Sequence, residues 1–126
     1  MSSSRTNGLP ASRAHLYQEF TERFERARTE KDGLLRYMSQ LSGQISQTDR
    51  VLAEKERSRA AIAFRRPRTS GSQEHINVLE QEIRSLSVAV RRLEESRDLA
   101  GRAIRIAEAE MVAARTKLDE ELARLE

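Results

Sequence analysis

The sequence predicts an all-α protein, a long antiparallel two-helix coiled-coil hairpin. Apolar residues recur at alternating steps of three and four through both halves of the chain, and helix breakers gather in one short stretch between them. The composition agrees: of 126 residues 37% are hydrophobic, 34% charged and only 4% aromatic, with no Trp, five Gly and two Pro. Such a chain lacks the large aromatics of a globular core and the turn residues of a multi-strand sheet. The same two seams also allow a competing arrangement, an extended rod that dimerises in parallel.

Residues 1–10, MSSSRTNGLP, are Ser-rich and aperiodic and read as a disordered arm without the hydrophobic stretch of a secretory signal. The first helix is expected over 11–64. Its stepping runs Tyr17, Phe20, Phe24, Ala27, Lys31, Leu34, Met38, Leu41, Ile45, Thr48, Leu52, Lys55, Arg59, Ile62, with four polar interruptions. The weak part is SQLSGQISQTDR, 39–50, where bending or fraying is expected. Gly33 and Gly43 lie off the seam and read as tolerated.

A basic turn, RRPRTSGS, follows at 65–72. Pro67 lacks a donor N–H and disfavours helix at Arg66, Gly71 is free to take positive φ, and Ser70 or Ser72 can cap the next helix. The second helix, 73–126, carries the purest pattern: Ile76, Leu79, Ile83, Leu86, Val90, Leu93, Arg97, Ala100, Ile104, Ala107, Met111, Ala114, Leu118, Glu121 and Leu125, with only Arg97 and Glu121 polar.

Folding back at the turn with paired residue numbers summing to 138 sets every seam position opposite another. Large residues then meet small ones, as Phe24 with Ala114 and Ala27 with Met111. Lys31, Lys55 and Arg59 fall opposite Ala107, Ile83 and Leu79, so their stems can lie on apolar layers while their charges reach water. Tyr17 falls opposite Glu121. Residues 1–70 carry 14 Lys and Arg against 8 acids, and 71–126 carry 9 against 12, so the two helices attract each other. Arg outnumbers Lys 20 to 3, which fits carboxylate or phosphate recognition but equally an Arg-rich coding bias.

Catalysis is not expected. There is no Cys, and His15 and His75 stand apart without a second ligand one helical turn away, so no metal or cofactor site is read. Glu94–Glu95 and Glu120–Glu121 point to different helix faces, and the glycines form no phosphate loop. Two hairpin helices roughly 80 Å long share only one narrow stripe, so further burial is expected from a partner.

The expected function is therefore a non-enzymatic coiled-coil structural or adaptor subunit of a larger assembly, intracellular and cytoplasmic, with cytoskeletal or ciliary lattices as hosts. A second stripe displaced from the seam, Leu99, Ala103, Ile106 and Ala113, is the candidate face for other helical proteins or for a second copy. Arg65, Arg66 and Arg68, with Arg57 and Arg59 nearby, form a candidate contact for an acidic surface such as a tubulin tail. Arg66-Pro67-Arg68 before Thr69 makes that threonine a candidate phosphorylation site. Two alternatives remain: a small helical-hairpin chaperone or export-stalk protein using the same stripe, and a nucleic-acid-associated protein using the Arg tip. The second is disfavoured because no aromatics beyond Phe64 are interleaved for base stacking. No apolar run is long enough to span a membrane.

Overall fold

The structure, a computed structural model, describes residues 12–64 and 69–126. It consists of two long α-helices packed against each other, an all-α helical hairpin: α1, Arg13–Ala63, and α2, Ser70–Leu125.

Both helices begin on a hydroxyl cap. Ser12 Oγ accepts the N–H of His15 at 3.2 Å and Ser12 O accepts that of Leu16 at 3.0 Å. Thr69 repeats the arrangement, its Oγ1 taking the Ser72 N–H at 3.1 Å and its carbonyl the Gln73 N–H at 3.1 Å. Each cap satisfies amide donors that have no carbonyl in a preceding turn. Thr69 therefore replaces Ser70 or Ser72 as the cap, and α2 starts three residues earlier than the sequence reading placed it. Gly71 consequently sits in the first turn without a positive φ. Similarly, Ser12 sets the start of α1 two residues late, and α1 ends at Ala63 with Phe64 in a turn.

The weak stretch at 39–50 does not break α1. Leu41 and Ile45 anchor it, only 4% and 7% exposed. Thr48 leaves no unsatisfied hydroxyl there, because its Oγ1 donates to the Gln44 carbonyl at 2.8 Å.

The contacts divide into two units. A terminal unit joins α1 up to Arg36 with α2 from Ala100 onward, and a turn unit comprises Tyr37–Leu99. In the terminal unit the buried positions are Leu16, Ala27, Ala100, Ile104, Ala107, Ala114 and Leu118, mostly alanine. Larger seam residues, Phe24, Leu34 and Met111, are half-buried, and the Phe20 and Phe24 rings lie 5.1 Å apart. In the turn unit the buried positions are Leu41, Ile45, Ile62, Ile76 and Leu79. Ile62, Ile76 and Leu79 form one cluster with Ala63 against it, in keeping with the expected opposition of Ile62 and Ile76.

Among the described residues, every buried one except Leu16 is a seam position. At that end the expectation needs correction, since Tyr17 is 51% exposed and Leu16 is buried instead. The register explains the exchange: it sets Leu16 level with Leu122, a half-buried apolar partner, and Tyr17 level with the carboxylate of Glu121.

The cationic seam residues do more than reach water. Lys31 Nζ lies 3.1 Å from Glu108, Lys55 Nζ 2.6 Å from Glu82, and Arg59 Nε 3.7 Å from Glu80. Each acid is the immediate neighbour of the apolar residue expected opposite: Ala107, Ile83 and Leu79. The stem covers the layer while the charge meets a carboxylate at its edge. These pairs fix the antiparallel register within each unit.

Candidate exposed docking face of the second helix

α2 is helical throughout because its residues are dominated by Ala, Arg, Glu, Leu and Ile without an internal breaker. Burying the seam at Ile104, Ala107, Ala114 and Leu118 necessarily turns another set of apolar side chains to solvent. Ile106 is 71% exposed and Leu99 61% exposed, and Ala113 is exposed as well. Ala103 is half-buried, on the shoulder between this face and the seam. Leu99 closes the turn unit's share of α2, while Ala103, Ile106 and Ala113 belong to the terminal unit.

Two further exposed apolar residues of α2, Val78 and Val88, escaped the sequence reading. Val88, 41% exposed, lies 11 residues before Leu99 within the turn unit, close to three helical turns, and so projects in nearly the same direction as Leu99. Val112, 65% exposed, lies to one side and borders a groove of about 330 Å³ with Phe24, Lys31, Glu108, Met111 and Arg115. Extending the stripe upstream in helical steps would have found Val88.

The face is edged by charge. Arg23 Nε donates to Glu110 in a close ion pair that ties the edge of the stripe to α1. That hydrogen bond, above all, and then the positive charges of Arg23 and Arg26, hold the Glu110 carboxyl below the usual carboxylate range against an opposing effect of burial. The same bond raises the Arg23 guanidinium. Nearer the chain ends, Leu16, Phe20, Ala114 and Leu118 floor a groove of about 210 Å³ whose walls carry Glu19, Arg23, Arg26, Lys117 and Glu121. Mixed charge over an apolar floor suits another amphipathic helix better than a single small anion or cation.

The other candidate positions are less informative. Arg65, Arg66 and Arg68 lie outside the described residues. Of the arginines leading up to them, Arg59 is paired with Glu80, and Arg57 is exposed. Thr69 is exposed, and its hydroxyl is engaged at the start of α2, 3.1 Å from Ser72 Oγ as well as accepting the Ser72 amide.

Known proteins give no further constraint. The chain matches no protein-family model, no curated protein and no solved structure.

His15 Nε2 lies 3.2 Å from Glu19, and His75 is exposed. Among the described residues no three His, Cys, Asp or Glu side chains converge as metal ligands, and no helix is long and apolar enough to cross a membrane.

Proposed function

We infer that the chain is a non-enzymatic structural or adaptor subunit, attached to a larger assembly by helix-to-helix contact along the exposed face of α2 in the manner of a coiled coil. The observation that carries this reading is the pair Leu99 and Ile106, two large aliphatic side chains on one helix face, both more than half exposed while smaller alanines fill the seam. Covering such a side chain contributes about 1.5–3 kcal/mol, and a partner helix laid on the stripe covers both together. The mixed charge beside them supplies the polar rim that helix docking uses.

The test compares the chain in extract of its source cells, by size-exclusion chromatography, with Leu99→Lys and Ile106→Lys variants. The wild type is expected in a complex larger than the free chain. Both variants are expected to elute free with unchanged helicity, since the substituted positions are exposed. A wild-type chain that elutes free, or variants that stay in the complex, would refute docking through this face.

A further inference from the structure

We propose that the groove near the chain ends takes a helix of another protein, which lays one large apolar side chain on Phe20 and sets acidic residues against Arg26 and Lys117. The groove belongs wholly to the terminal unit, and neither Leu99 nor Ile106 lines it, so it is a second surface beside the docking face.

The groove is small. At about 210 Å³ it has room for a large side chain but falls short of the roughly 300–1,000 Å³ of a pocket for a drug-sized molecule. Its floor is apolar: Leu16, Ala114 and Leu118 are buried there, while Phe20 is half-buried and leaves part of its ring open to an incoming group.

Charge then selects the occupant. The acids around the groove are already engaged within the chain. Glu19 lies 3.2 Å from His15 Nε2, Glu22 accepts from Gln18 Nε2 at 3.4 Å, and Glu121 lies 2.8 Å from Arg124. Of the three cations only Arg23 is engaged, by Glu110. Arg26 and Lys117 are exposed and, among the described residues, form no ion pair; Arg26 acts on Glu110 only as a charge at a distance. The unmatched charge of the groove is therefore positive, and acids on an incoming chain complement it.

The placement of the two cations suits a helix. They stand on opposite helices, and the Lys31–Glu108 contact sets Lys117 level with Glu22, about one turn from Arg26. A helix that lowers one apolar side chain into the groove turns the residues one turn before and one turn after it toward the same surface. Acids at those two places reach Arg26 and Lys117.

The chain itself does not supply such a segment. Residues 1–11 hold Arg5 and no acid. Among the exposed large apolar residues that are described, only Val78 has an acid one turn to either side, Glu74 and Glu82, and Glu82 is held by Lys55. The complementary helix therefore comes from a different protein.

The probe is an alanine-based helical peptide with one Leu and a Glu four residues to either side of it, labelled with fluorescein and titrated with the purified chain by fluorescence anisotropy. Saturable binding is expected, about tenfold weaker when both Glu are replaced by Lys and lost when the Leu is replaced by Ser. Lys117→Glu and Arg26→Glu should each weaken binding of the Glu peptide about fivefold with helicity unchanged, since both side chains are exposed. Arg84→Glu, the same change of charge at an exposed position of the turn unit, should leave it as it is. The chain with Lys117→Glu and Arg26→Glu together should prefer the Lys peptide. No saturable binding, equal affinity for the Glu and Lys peptides, or equal effects of Arg84→Glu and Lys117→Glu would overturn the proposal. So would self-association of the purified chain in sedimentation equilibrium that Lys117→Glu abolishes, because a second copy would then fill the groove.

Discussion

Replacing the three mid-helix glycines by alanine should raise the stability of the hairpin substantially. Gly33, Gly43 and Gly101 are helical, none has a positive φ, and a methyl group built on any of them meets nothing within 4 Å beyond its own helix. Alanine therefore introduces no clash and no strain. It narrows the unfolded ensemble and adds helix propensity, about 0.5–1 kcal/mol at each position. The sites share no contacts, so the effects should add to about 1.5–3 kcal/mol. For helices of 51 and 56 residues, 1 kcal/mol moves the melting midpoint by about 4 °C, so the triple variant should melt on the order of 10 °C higher. Circular dichroism melts at low micromolar concentration measure this directly. An unchanged or lower midpoint would refute the reasoning, because it would mean that something lies against those backbones. A second set of melts at high concentration then locates the contact: a loss confined to concentrated samples would assign it to a neighbouring copy.

Three other perturbations test the fold and the edge of the candidate face. Leu79→Ala removes half of a buried contact with Ile62 and Ile76 and should cost about 2–4 kcal/mol in urea titrations, with loss of protection in the turn unit by hydrogen exchange. Thr69→Ala deletes the side-chain cap of α2 and should cost about 1 kcal/mol, with Thr69→Ser close to wild type by thermal melt. Glu110→Gln should lower the melting midpoint at neutral pH, where the Glu110 carboxylate is held by Arg23. Because the folded carboxyl titrates below its unfolded value, that contribution is complete above the ordinary Glu range near pH 4.3 and disappears as pH falls through the lower folded value, so wild type and variant should converge in strong acid. A gap between them that widens in acid would contradict the assignment.

The helices and the seam were legible because burial in a hairpin imposes a period, and a period survives in sequence without any knowledge of the partner strand. Caps were less legible. Thr69, Ser70 and Ser72 all carry a hydroxyl, and only the position of the chain entering α2 decides which one faces the free amides. Tyr17 and Leu16 were confused for a related reason: periodicity tolerates a shift of one residue, and the choice turns on what lies across the seam. The ion pairs of Lys31, Lys55 and Arg59 could have been anticipated by inspecting the neighbours of each facing position as well as the position itself. For the candidate face, Leu99 and Ile106 stood out because they are large and out of phase with the seam. Val88 was lost among charged residues, and its exposure emerges only from the direction in which the helix presents it.

The acids at the edge of the seam have a consequence for how the chain recognises its own fold. A heptad pattern is degenerate, because sliding one helix past the other by seven residues realigns apolar with apolar and leaves burial almost unchanged. Lys31, Lys55 and Arg59 remove that degeneracy. In either slipped state Lys31 arrives beside Ala100 and Gly101 or beside Ala114 and Arg115, Lys55 beside Ile76 or Val90, and Arg59 beside Ser72 or Leu86, so all three carboxylate partners vanish together. Three modest surface contacts thus act as a vernier on a repeating scale. Their worth lies in telling one alignment from its near-copies, a distinction the aliphatic residues, however well buried, cannot make.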